Sequence, residues 1–232
     1  MAGRGGVVDL SPALVLGMWS AGLAAATAAV VGWRIVGTGY TWLAASVVFV
    51  FGLGAALAGG SPWAWVGVVL TTAAAFLVWR TGPSSATVAA LAVAGAAFVI
   101  AATADSPLVP AMTGALFLGA VTAEMVLGHW YLVDPQLPRW ALFRLAVAGL
   151  IGLGADFTAL ALDGALSWGT GDEIFGWAFV GLAAMTAVLM AGVWGALREP
   201  SYTGVMAATG LSYLAVLTAL GVAVVGRALI SV

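Results

Sequence analysis

Apolar residues gather into eight long runs, at 11–33, 40–58, 63–80, 86–104, 108–132, 141–164, 174–197 and 203–226, with short polar gaps between them. Runs of about 20 apolar residues match a hydrocarbon core of about 30 Å at 1.5 Å rise per residue. Nothing in the chain alternates strictly between apolar and polar. That excludes a transmembrane β-barrel, whose strands alternate over segments of about 10 residues. The pattern predicts an all-α polytopic bundle of eight transmembrane helices. All eight prolines (Pro12, Pro62, Pro83, Pro107, Pro110, Pro135, Pro138 and Pro200) lie at or near run boundaries. Proline breaks the hydrogen-bond ladder in a helix interior and is accepted in a first turn, so it marks the same boundaries that hydropathy does.

Composition fixes the solvent. Hydrophobic residues make up 63% of the 232 residues, charged residues only 7%, and the mean hydropathy is +1.14. A soluble domain carries roughly a quarter of its residues as charges, so this surface belongs in lipid. The net charge of −2 comes with no basic stripe, which excludes a nucleic-acid partner. With no cysteine, the chain forms no disulfide, thiolate metal site or Fe–S cluster. No polar stretch exceeds a short loop, so residues 1–232 read as one integral membrane domain.

The few charges orient it. The cationic residues are all arginine, and five of the seven (Arg34, Arg80, Arg139, Arg144 and Arg198) fall in or beside the gaps after runs 1, 3, 5 and 7. Asp105, Asp163, Asp172 and Glu173 occupy the opposite gaps. The positive-inside rule then places both termini on the outer side of a membrane, expected to be a prokaryotic cytoplasmic membrane. Arg4 and Arg227, one near each terminus, are the exceptions. Tryptophan agrees, because an indole settles at headgroup depth. Trp33, Trp42, Trp79, Trp130, Trp140 and Trp194 line the inner interface in this reading, and Trp63, Trp65, Trp168 and Trp177 the outer one. The small-residue tract Ala24–Ala29 has the look of a signal-peptide cleavage site, but the apolar run continues to Trp33, long for a signal sequence. An uncleaved first span is the expectation.

Small residues form stripes at helical spacing. Ala148, Gly152 and Asp156 share a face of span 6, and Gly114, Val121, Glu124 and Gly128 a face of span 5. Such stripes let helices approach closely in lipid. The halves differ in charge. Residues 1–104 carry Arg4, Asp9, Arg34 and Arg80, and 105–232 carry all the others. Spans 1–4 therefore read as packing scaffold and spans 5–8 as the holders of any polar site, with no internal repeat visible between them.

Two carboxylates sit inside apolar runs. A charge at the centre of a spanning helix costs about 2.5–3.5 kcal/mol on insertion scales, so Glu124 and Asp156 each need a partner or a proton. Tyr213, Thr209, Ser212 and Thr186 are the neutral partners available on spans 7 and 8. Glu124 and the lone histidine, His129, are five residues apart, roughly 140° around a helix at about 100° per residue. They do not form a local dyad, and each is expected to meet a different neighbour.

The segment from Glu124 to Arg139 carries most of the chemistry. His129, Trp130, Tyr131 and Glu124, with Arg139 or Arg144 at the mouth, would supply the apolar body, hydrogen-bond donors and titratable group of a ligand pocket. The expectation is a membrane subunit or small redox-linked protein that binds a quinone-like or other amphipathic ligand near the inner interface. One alternative is a proton-coupled transporter or channel that uses Glu124 and Asp156 as a relay. Another is a structural or assembly subunit in which these residues only pack. A quinone is a possible cofactor. Haem held by two histidines of this chain is excluded, and one imidazole without a thiol makes no metal site. Anionic lipid headgroups and other membrane subunits are the expected partners. No nucleophile, base and orienting group come together, so stand-alone catalysis is not expected.

Overall fold

The computed structural model describes residues 11–59, 61–166 and 173–230. Among them it is all-helical, with eight helices: α1 (Pro12–Gly32), α2 (Thr38–Leu57), α3 (Pro62–Thr81), α4 (Ser85–Ala102), α5 (Leu108–Tyr131), α6 (Arg139–Leu160), α7 (Glu173–Leu197) and α8 (Tyr202–Ile230). Each is long and apolar enough to cross a membrane. A segment of wider π-type turns, Ala161–Ala165, continues α6 and contains Gly164, whose φ of 102° only glycine adopts without strain. The sequence-based readings for Arg4, Asp9, Trp168 and Asp172 lie outside the described residues.

Boundaries follow local chemistry. Pro12 and Pro62 open α1 and α3, behind Ser11 and Ser61 caps that accept from backbone N–H groups. Ser84 caps α4 in the same way, accepting from Thr87 N–H. Gly82, at φ 72°, closes α3.

Contacts between turns show which helix ends lie together. Ser11 Oγ donates to Asp105 Oδ2 at 2.8 Å, which joins the start of α1 to the end of α4. Trp33 packs on Trp140, joining the end of α1 to the start of α6. One end of the bundle thus gathers Arg34, Arg80, Arg139, Arg144 and Arg198. Asp105, Asp163 and Glu173 lie at the other.

The packing pattern repeats. Helices α1 to α4 form a ring in which each contacts the next and α4 returns to α1. Helices α5 to α8 do the same, α8 returning to α5. The rings join through α1 and α5, the two most buried helices. Their approach is backbone on backbone: a Cβ on Gly22 would lie 1.7 Å from the Ala115 carbonyl oxygen, and one on Gly119 would lie 2.1 Å from the Gly22 carbonyl carbon. The first four helices are thus one of two rings with the same neighbour pattern, and α1 is as central as α5. Charge content distinguishes the halves, but helix arrangement does not.

Inside the first ring, Phe98 is wholly buried and fills the space left by Gly52 and Gly67. In the second, Gly152 lets α6 close onto α5, where a Cβ would stand 2.7 Å from Phe117 Cα. Small residues thus do the packing in both rings, as lipid-embedded helices require.

Candidate functional site

Gly114, Glu124 and Gly128 of the α5 stripe face α8, and Val121 packs on Gly149 of α6. A side chain at Gly128 would meet Thr209 Oγ1 at 2.8 Å, and one at Gly114 would meet Arg227 Nη2 at 2.1 Å. Between these positions lies Glu124, wholly buried. Its Oε2 is in a short hydrogen-bond contact with Ser212 Oγ, and its Oε1 has no partner. Ser212 was among the neutral partners expected for the buried carboxylates.

Asp156 has a different set of partners from those the sequence suggested. Arg227 Nη2 donates to its Oδ1 at 2.8 Å and Nη1 to its Oδ2 at 3.1 Å. Thr113 Oγ1 adds a third donor at 2.9 Å. Arg227 also donates to the carbonyls of Pro110 (2.8 Å) and Ala223 (3.3 Å). Both side chains are buried. This bidentate pair ties α5, α6 and α8 together near the end opposite the arginines, and Gly114 provides the room for the guanidinium. Arg227 is therefore not a loop charge near the terminus. Helix α8 runs to Ile230, four residues beyond the apolar run at 203–226, and carries Arg227 inside the bundle.

Glu124 and Asp156 are not brought together. Their α8 partners, Ser212 and Arg227, are fifteen residues apart, about 22 Å along a helix. Glu124 and His129 do not pair either, but both look to the same helix. His129 is exposed, and its Nδ1 lies 3.1 Å from the hydroxyl of Tyr213, the residue next to Ser212. Each thus meets a different residue, and the two residues adjoin in α8.

The remaining predicted site residues diverge. Trp130 packs edge-on to Tyr40, with ring centroids 6.4 Å apart, over the bare backbone of Gly39. Tyr131 is buried in the core. Arg139 clamps the turn between α7 and α8, donating to the carbonyls of Glu199, Pro200 and Ser201. None of these residues lines the three cavities described below. No cluster of three His, Asp or Glu side chains able to hold a metal occurs among the described residues.

Arg144 leads to a different place. Its guanidinium stacks 4.4 Å from the Trp140 ring centroid and 5.7 Å from that of Trp33, and it has no hydrogen-bond or ion-pair partner among the described residues. It stands at the mouth of an apolar slot of about 420 Å³ between the two rings. Ala21, Ala25 and Ala29 of α1 and Ala115 of α5 form its floor, with Ala96 of α4 and Ala148 of α6 on its walls. From Ala21 to Trp33 the slot follows α1 for about 18 Å, a little more than one leaflet of a hydrocarbon core of about 30 Å.

This slot was not legible in the sequence, because its lining is made of small and apolar residues spread over four helices. Trp19 was also missed, as one more apolar residue in a run. It is buried at mid-span, and its indole Nε1 donates to Thr122 Oγ1 at 2.7 Å, pinning α1 to α5.

Comparison of the chain with protein-family models, with curated proteins and with solved structures finds no match. Function rests on the geometry alone.

Proposed function

We propose that this multi-pass membrane protein binds an amphipathic molecule, with its apolar chain in the slot between the two rings and an acceptor-bearing head on Arg144. The slot beneath a guanidinium that has no hydrogen-bond or ion-pair partner among the described residues carries the reading. Arg144 has five N–H donors and a full charge at headgroup depth, so it favours an anionic head, phosphate or carboxylate, and can also donate to a quinone carbonyl. The floor below it offers only methyl groups and backbone, which suits an acyl or isoprenoid chain and no polar solute. The volume lies within the range of small-molecule sites.

Two other cavities fit less well. A groove of about 510 Å³ between α2 and α3 is walled by Trp42, Phe49, Phe76 and Trp79 and has no charged residue to hold a head. A cavity of about 570 Å³ beside Arg34 and Ser84 sits among turns and offers no length for a chain.

The binding reading keeps the amphiphile expected from the sequence and moves its site from Glu124, His129 and Tyr131 to Arg144. The arginine-rich end faces the cytoplasm of a prokaryotic cell in this proposal. Arg227, one of the two exceptions to the positive-inside pattern, supports that orientation, because its charge is neutralised by Asp156 inside the bundle.

Extraction of the purified protein with organic solvent tests the proposal. A stoichiometric anionic phospholipid or fatty acid is expected, or a quinone identified by its redox-sensitive absorption. The yield should fall about tenfold in Arg144→Gln and in Ala96→Phe, which fills the slot from its lipid-exposed wall. Equal yields from wild type and both variants, or no bound amphiphile in the wild type, would overturn it.

A further inference from the structure

We propose that Glu124 is a proton-binding site, held as a neutral carboxylic acid between α5 and α8. Three observations carry this. Glu124 is wholly buried in the interior of α5, and one of its oxygens has no partner. An ionised carboxylate there would keep a full charge on a single neutral donor, in a medium where isolated charges are not tolerated. No cation is available to it. Arg227 is the one buried cation among the described residues; it is committed to Asp156 and sits over Gly114, about 15 Å away along α5.

The third observation is the hydrogen-bond inventory at Ser212. Its Oγ lies against Glu124 Oε2 and also 2.8 Å from the Ala208 carbonyl. A hydroxyl has one proton to donate and can accept as well. If Glu124 is ionised, Ser212 can donate to only one of these two acceptors. If Glu124 is an acid, it donates to Ser212, Ser212 donates to Ala208, and both contacts are made. The unpartnered Oε1 is then a carbonyl oxygen, a far smaller burden than half of a carboxylate.

The surroundings supply no competing charge. On the helices packed against α5, the titratable and charged groups of the described residues are Tyr40 on α2, Arg139, Arg144 and Asp156 on α6, and Tyr202, Tyr213 and Arg227 on α8. Helices α1 and α4 contribute none. On α5 itself, His129 and Tyr131 follow Glu124. The exposed His129–Tyr213 pair begins five residues on, about 7.5 Å along the helix, and Tyr213 adjoins Ser212 in α8. This site is independent of the slot at Arg144.

Infrared spectroscopy of the protein in lipid at neutral pH tests the proposal. Glu124, Glu173 and Glu199 are the only glutamates in the chain, and the other two are exposed. A carboxylic-acid carbonyl band that shifts on ¹³C-glutamate labelling of the unmutated protein is expected, and it should be lost in Glu124→Gln. Ser212→Ala should move the band to higher frequency, and Asp156→Asn should leave it in place. Absence of a glutamate-labelled acid band in the wild type at neutral pH would overturn the proposal, as would a band that survives Glu124→Gln.

Discussion

A guanidinium inside a helix bundle needs a counter-charge, and for Arg227 that is Asp156. Removing one partner of such a pair leaves the other as an uncompensated buried ion, at a cost of about 3–5 kcal/mol. Arg227→Ala should therefore destabilise the protein by that amount in reversible unfolding from detergent. The double change Arg227→Met with Asp156→Leu should recover most of the loss, because it removes both charges and keeps the volume. Equal stability of Arg227→Ala and wild type would show that the pair is not formed. Asp156 and Glu124 were visible in the sequence as charges inside apolar runs. Arg227 was not, because hydropathy stops at residue 226 and a buried pair needs two helices to be seen together. Trp19 was hidden for the opposite reason: an indole in an apolar run looks like any other apolar residue until Thr122 is opposite it.

Helix boundaries were legible almost to the residue, since prolines, serine caps and the ends of hydrophobic runs coincide. The exceptions are instructive. Helix α6 passes into π-type turns at Ala161, and α8 continues to Ile230, both at the end where Asp156 and Arg227 hold the helices together. Helix contact, by contrast, depends on glycines that the sequence shows only as small. Gly22 and Gly119 allow α1 and α5 to touch through their backbones, so Gly22→Val should force the two rings apart. A loss of about 1–3 kcal/mol is expected, within the range for overpacked cores, against no measurable change for Gly154→Ala, whose surroundings are open. Thermal unfolding of the two variants in one detergent makes the comparison; equal midpoints would mean that α1 and α5 do not pack this way. Arg139 acts on a turn. Its three carbonyl contacts at 199–201 predict that Arg139→Ala raises backbone hydrogen exchange in the α7–α8 turn and leaves the α1–α2 turn unchanged.

At the scale of the whole molecule, two rings of four helices meet along α1 and α5, and the seam between them leaves the slot under Arg144. Polar residues and cavity are not in the same place. The charged and hydrogen-bonding groups that caught attention in the sequence, Glu124, His129, Tyr131, Arg139 and Asp156, are mostly used between helices, whereas the space for a ligand is lined by alanine, glycine and larger apolar residues. Sequence patterns single out costly residues, and empty volume between helices costs nothing that a pattern can register. Arg144 connects the two readings, as a predicted site residue that stacks on two indoles and has no hydrogen-bond or ion-pair partner among the described residues. The most direct measurement is an experimental density map of the protein in lipid nanodiscs. An elongated density is expected in the slot between α4 and α6, along the floor formed by Ala25 and Ala29, ending in a compact head within hydrogen-bond distance of Arg144. A slot closed by direct contact of α4 with α6, or Arg144 bound to a carboxylate of the protein itself, would contradict the proposal.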